Sequence, residues 1–171
     1  METTVQPVRV WLVDDNEEVR MLVAELLSLQ AGIECPCHFS SPDALLSTLA
    51  SKPGPDVILL DVQMGDRNGL DAVRPIKSLA RTTRVLMFTT CNDPGWRERA
   101  FGEGASDYLL KSDDMAKVAA RIRCPDNDLA GVRLHRSRTA ADRSPQNGQV
   151  RAVPEKGPRL LSRTLKMLGW N

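Results

Sequence analysis

Val57-Ile58-Leu59-Leu60 is an unbroken apolar run that stops on a carboxylate, Asp61, and this change of character restricts the possible folds more than any other feature. A run rich in β-branched residues and leucine, bounded by Pro55 and by the glycines further on, fits a strand buried on both faces of a parallel sheet. Asp61 then stands where that strand emerges. Other apolar runs end in the same way. Val8-Arg9-Val10-Trp11-Leu12-Val13 runs into Asp14 and Asp15, Arg84-Val85-Leu86-Met87-Phe88 into Thr89 and Thr90, and Ser106-Asp107-Tyr108-Leu109-Leu110 into Lys111. In open α/β sheets the ligand crevice lies outside the carboxyl ends of the strands, so these acids, the hydroxyl and the amine are expected to share one pocket.

The segments between the runs read as helices. Val19, Leu22, Val23, Leu26 and Leu27 recur with helical spacing after Asn16, which supplies a cap, and Glu17 and Glu18, which supply first-turn carboxylates. Ser41-Pro42 opens a second helix with an apolar stripe of Leu45, Leu46 and Leu49 that stops before Pro53. A third is expected from Gly69 to about Ala80, kinked or delayed by Pro75, which lacks a backbone donor. Asp93-Pro94 opens a fourth toward Gly104, and Ser112 or Asp113 caps a fifth that presents Met115, Val118, Ala119 and Ile122. The remaining strand, Ile33 to Phe39, contains Pro36, which belongs at a sheet edge. The doubly wound strand order 2-1-3-4-5 puts it there. The fold class is therefore α/β, with a parallel sheet of that order.

Together the motifs resemble one family. Asp14-Asp15 after the first strand, Asp61 followed by Met64 and Gly69, Thr89 with the small Thr90, and Gly104-Ala105 leading to Tyr108 and Lys111 match in kind and order the receiver (response regulatory) domain of bacterial two-component response regulators. The resemblance covers residues 8–123 and implies a (βα)5 flavodoxin-like, CheY-like three-layer sandwich. It further implies that Asp61 accepts a phosphoryl group from a histidine kinase or a histidine phosphotransfer protein. A carboxylate is a poor nucleophile toward phosphorus unless nearby negative charge is neutralised, and transfer is catalysed mainly by positioning and electrostatics. Mg2+ is the implied cofactor; it is held by oxygen ligands that usually include one or two carboxylates. By similarity Asp15, Asp61 and the backbone carbonyl of Gln63 ligate it, with Asp14 acting through water or as a supporting charge. Lys111 pairs with Asp61 and then with the phosphoryl oxygens. Thr89 and Tyr108 form the switch: the threonine moves toward the phosphoryl group, and the aromatic ring turns into the vacated space. The face made by the fourth helix, fifth strand and fifth helix is thereby remodelled for a downstream protein partner or a homodimer.

Other roles stay open for individual residues. Asp14 or Asp15 could serve only as a helix N-terminal acid, Lys111 could be an ordinary surface lysine, and Tyr108 could simply pack on an edge strand. Two positions depart from the usual family pattern. Gly65 replaces a proline, which should loosen the loop after Asp61, and Ser112 replaces a proline whose preceding bond is cis in many relatives. Gln63 and Cys91 occupy positions that in the family tune hydrolysis of the acyl phosphate.

The chain divides near residue 123. Up to Arg123 it carries 14 Lys and Arg against 18 Asp and Glu, a formal −4, and the rest carries 9 against 4, or +5. Residues 124–171 are rich in Arg, Pro, Gly, Ser and Asp and are expected to form a mostly disordered basic tail. Within it, 159–168 places Leu160, Leu161, Leu165 and Leu168 on one face of a short amphipathic helix. A helix-turn-helix output needs about three amphipathic helices, so DNA binding is not expected. The Arg133 to Arg143 cluster reads as a solvated linker rather than a phosphate-binding surface. Cys35, Cys37, Cys91 and Cys124 contain no C-x-x-C pair, and His38 alone does not complete a zinc site. With no leader before the first strand and no membrane span, reduced thiols and a cytoplasmic location are expected. The expected function is that of a phosphoacceptor switch rather than a turnover enzyme. The alternatives are a pseudo-receiver used for constitutive contacts and an aspartyl phosphohydrolase of the haloacid dehalogenase type. That family places its nucleophile in a D-x-D motif after the first strand, where this chain has Asp14-Asp15-Asn16.

Overall fold

The computed structural model describes residues 6–124; the expected tail 124–171, its helix 159–168 and the Arg133 to Arg143 cluster fall outside the described residues apart from Cys124. Strands β1 (Val8–Val13), β2 (Ile33–Phe39), β3 (Val57–Leu60), β6 (Arg84–Thr89) and β7 (Asp107–Leu110) form one sheet. All its pairings are parallel, in the order β2-β1-β3-β6-β7, which is 2-1-3-4-5 when only these five strands are counted. Between them run α1 (Glu17–Ser28), α2 (Pro42–Leu49), α3 (Leu70–Leu79) and α4 (Pro94–Glu103), and α5 (Met115–Arg123) follows β7. A small antiparallel hairpin, β4 (Gln63–Met64) with β5 (Arg67–Asn68), follows β3. This is the CheY-like doubly wound fold.

Side chains alternate across the central strands. Trp11, Val13, Ile58, Leu60, Val85 and Met87 join Leu45, Leu49, Val73 and Ile76 of α2 and α3 in one core cluster. Val10, Leu12, Leu59 and Leu86 are also buried, as are Val19, Val23 and Leu27 of α1 and Val118, Ala119 and Ile122 of α5. Burial on both faces accounts for the unbroken apolar run of β3. Pro36 lies on the edge strand as expected, beside a register shift in which Arg9 faces Glu34 but Trp11 faces Cys37; the extra residue on β2 accommodates the missing donor.

Caps follow the sequence at most helix starts. Asn16, Ser41 and Asp93 accept from the amides of Val19, Ala44 and Trp96. The fifth cap is a correction. Asp114, not Ser112 or Asp113, accepts from Ala116 N, because Asp113 is already engaged by Leu110 N and the Lys117 ammonium. Pro75 does not delay α3, which begins at Leu70 and carries the proline inside. No peptide bond among the described residues is cis, and no described helix is long and apolar enough to cross a membrane.

Candidate functional site

Strand register builds the site. Val13 lies opposite Leu60, so the next residues, Asp14 and Asp61, emerge side by side, and Asp61 N donates to Val13 O at 3.0 Å. Thr89 lies opposite Leu110, so Lys111 follows directly; its backbone N donates to Thr89 O at 2.8 Å. Lys111 Nζ then reaches across to both acids, 2.7 Å from Asp61 Oδ2 and 2.5 Å from Asp14 Oδ2. All three side chains are buried. The expected Lys111–Asp61 pair is present, and the Lys111–Asp14 pair is an addition that the strand-end pattern did not disclose.

The two aspartates after β1 have different surroundings. Asp14 is 1% exposed, with Oδ1 accepting from Asn16 N at 3.0 Å, whereas Asp15 is exposed. Arg20 fixes the backbone of both, donating to Asp14 O at 2.7 Å and Asp15 O at 3.4 Å. Burial pushes the Asp14 carboxyl above the ordinary carboxylate range, against the pull of the adjacent Lys111 ammonium, and the Asp61 charge adds to the rise. Burial works against the Lys111 ammonium, yet Asp61 and Asp14 outweigh it and its pKa ends above the usual lysine value. Lysine therefore holds its proton while the acids compete for it.

The loop after β3 is shaped around Asp61. Its Oδ1 accepts from Val62 N at 2.6 Å and more weakly from Gln63 N at 3.4 Å, leaving Oδ2 to Lys111. Gly69 N closes the loop onto Val62 O at 2.8 Å, and a Cβ at Gly69 would lie 1.9 Å from Asp61 O. Gly65 holds φ +53 in the two-residue turn of the β4–β5 hairpin, a conformation closed to the proline of the usual pattern. The dipeptide Gly65-Asp66 is itself a hairpin signal that could have disclosed the turn.

On the other side, Thr89 is fully buried, and its Oγ1 accepts from Cys91 N at 3.4 Å. Tyr108 lies on the edge strand but is only 3% exposed, and its hydroxyl donates to Cys91 O at 2.8 Å. Burial, and then the neighbouring Cys91 and Asp93, push that hydroxyl's pKa up to about 12. The Arg97 guanidinium of α4 lies 5.7 Å from the ring centroid. Nothing in the sequence marked Arg97, which sits on a helix where only Ala100 is fully buried.

Asp14, Asp15 and Asp61 each offer a carboxylate oxygen within 4.8 Å of the others. Asp14 Oδ2 is buried and, although close to Lys111, has no aligned hydrogen-bond partner. Three formal negative charges face one ammonium. Hard oxygen donors, a surplus of negative charge and an exposed Asp15 at the mouth suit Mg2+, a small divalent cation that retains several waters. When bound, it would supply charge neutralisation for an incoming phosphoryl group.

Comparison with known proteins found similar sequences and structures. The response regulator receiver domain model matches residues 10–123. The chain is 32% identical over 118 residues to response regulator protein VraR of Staphylococcus saprophyticus, covering 68% of this chain and 56% of that protein. It is 34% identical over 113 residues to the DNA-binding transcriptional regulator NtrC of Salmonella typhimurium, covering 66% of this chain and 24% of that one. The chain thus spans about half or less of these curated relatives' length. A two-component response regulator of the LuxR family from Aurantimonas sp. SI85-9A1 superimposes with a TM-score of 0.64 at 27% identity, over 74% of this chain and 87% of that one.

Proposed function

This chain belongs to the response regulator receiver family, and we propose that Asp61 is its phosphoacceptor, receiving a phosphoryl group from a histidine kinase or a histidine phosphotransfer protein. The observation that carries this reading is the Lys111 ammonium held between Asp61 and Asp14 at the ends of buried strands. An Asp61 carboxylate oxygen forms the new bond to phosphorus as the bond from phosphorus to the donor breaks. Lys111 exchanges part of its pairing with Asp61 for the arriving phosphoryl oxygens, and Thr89, whose hydroxyl can donate, faces the added charge. Asp15, Asp61 and the Gln63 carbonyl are the ligands assigned to Mg2+, with Asp14 acting through water or as a supporting charge.

Residues 8–123 are taken as the receiver unit. Phosphorylation biases Thr89 and Tyr108, and with them the α4–β7–α5 face, which presents the signal to a protein partner or a second copy. The reaction is a stoichiometric transfer rather than turnover of a substrate. The test is labelling by an acyl phosphate or a phosphohistidine donor in Mg2+. Label on the wild type that is released by hydroxylamine and lost in Asp61→Asn is expected; full labelling of Asp61→Asn would sink the assignment. Failure to bind beryllium fluoride with Mg2+ would favour a pseudo-receiver, and turnover of small phosphate esters would favour a phosphohydrolase.

A further inference from the structure

Tyr108 and Thr89 grip the same residue from opposite ends. Thr89 Oγ1 takes the amide of Cys91 at 3.4 Å, and the Tyr108 hydroxyl donates to its carbonyl at 2.8 Å. The ring is thus inward, 3% exposed. Tyr108 belongs to the buried core cluster, against which Trp96, Phe101 and Leu110 pack, while the adjoining helix is weakly embedded. In α4 only Ala100 is fully buried, while Trp96 and Phe101 are half-buried. Arg97 adds a cation to that cover. Its guanidinium lies 5.7 Å from the ring centroid, inside the range at which a cation is attracted to an aromatic face. The helix that carries it is fixed at its start by Asp93, which accepts from Trp96 N at 2.8 Å, one residue before Arg97. The Asp113 carboxylate on the far side also feels the charge of Arg97 and is engaged by Leu110 N and Lys117.

We infer that Arg97 is a positioning residue for the switch: by covering the ring of Tyr108 it holds the tyrosine inward against the Cys91 carbonyl. The functional half of this inference rests on the phosphoacceptor reading of Asp61; the positional half does not. If the inward ring and the occupied acid site favour one another, a group that stabilises the first tightens the second by at most the same factor. A cation over an exposed aromatic face is strong enough to change the inward-to-outward ratio by about two- to fivefold.

Tyr108 is the single tyrosine of the chain, so full-length protein grown with 3-fluorotyrosine gives one fluorine resonance, from position 108. In Arg97→Ala this resonance is expected to move from its wild-type position toward that of the urea-unfolded chain, and beryllium fluoride with Mg2+ is expected to return it. Affinity for beryllium fluoride should fall, by no more than about two- to fivefold, by the linkage above. Arg97→Lys, which keeps a cation, should stay close to wild type in both measurements. Arg97 is exposed, so the fold survives these changes, which circular dichroism verifies. Coincident resonances for Arg97→Ala and wild type, or a lysine variant displaced as far as the alanine one, would overturn the inference. Absence of beryllium fluoride binding by wild type overturns the phosphoacceptor reading instead, and the ligand-free comparison of Arg97→Ala with wild type still decides the positional role.

Discussion

Gly69→Ala tests whether the geometry at Asp61 is set by backbone packing. A Cβ at position 69 would lie 1.9 Å from Asp61 O, 3.0 Å from Asp61 C and 3.2 Å from Met64 Cε, and contacts under 3.0 Å are essentially never seen for real Cβ atoms. The backbone conformation itself is no obstacle, since φ −59 and ψ −24 are helical and alanine adopts them freely. The conflict is purely steric. It requires roughly 1 Å of movement, and the atom in the way is main chain at the end of β3, pinned by the Asp61 N to Val13 O bond. Overpacking a tight site costs about 1–3 kcal/mol and sometimes more, and with backbone on both sides about 3 kcal/mol is expected. Over a urea dependence of about 2 kcal/mol per molar, that lowers the unfolding midpoint by about 1.5 M. A second consequence concerns chemistry: misplacing a reacting group by about 1 Å can cost on the order of a hundredfold in rate, so labelling of Asp61 should slow by that order. Urea unfolding with parallel labelling kinetics measures both. A variant within about 0.5 kcal/mol of wild type that labels at the wild-type rate would refute the argument.

Gly102→Ala should act oppositely to Gly69→Ala. Position 102 is exposed inside α4 with nothing within 4 Å of the added carbon, so a gain of about 0.5–1 kcal/mol in urea unfolding is expected. Gly65→Pro, which restores the usual family residue, is expected to destabilise by at least about 1–2 kcal/mol, because φ +53 must change sign and the β4–β5 turn opens; unchanged stability with native Mg2+ binding would show that the turn is dispensable. Asp14→Asn should stabilise the metal-free protein at pH 7 by on the order of 1 kcal/mol, measured by thermal unfolding in a chelator. The sign follows from the raised Asp14 pKa. Its contribution to stability is fully present below the unfolded value of 3.8 and is lost as pH rises through the folded one, so the variant's advantage should grow over that interval. If Asp14→Asn is instead the less stable protein at pH 7, the Lys111 pair outweighs burial.

Where each part of the site was legible follows from the physics that sets it. Asp61, Asp14, Asp15, Thr89 and Lys111 were readable because parallel register turns strand ends into neighbours, so residues distant in sequence needed only to follow apolar runs. The edge position of β2 was readable because Pro36 cannot donate within a ladder. The α5 cap was misplaced by one or two residues because Ser112, Asp113 and Asp114 are all capable caps, and the choice turned on Asp113 being claimed by Leu110 N and Lys117. The role of Gly65 in a turn was missed because only its freedom was considered, whereas Gly65-Asp66 spans a two-residue hairpin that needs a positive φ at its first position. Arg20 and Arg97 left no pattern at all, since long basic side chains act wherever they reach.

The two sides of the site differ in how firmly they are held, and the difference suits a switch. Asp61 follows four fully buried residues of β3, and its carboxylate is gripped by the Val62 amide and Lys111, so little can move there without breaking core packing. α4, by contrast, has one fully buried residue where α3 has four. It is tied to α3 by Asp71–Arg99 and Arg74–Glu103, largely exposed ion pairs worth about 0–1 kcal/mol each. On the phosphoacceptor proposal, adding nearly two negative charges at Asp61 would act on a rigid acceptor and a compliant helix. The arriving charge can be absorbed most cheaply through Thr89 and the Cys91 backbone into α4, because that is where the fewest buried contacts resist it.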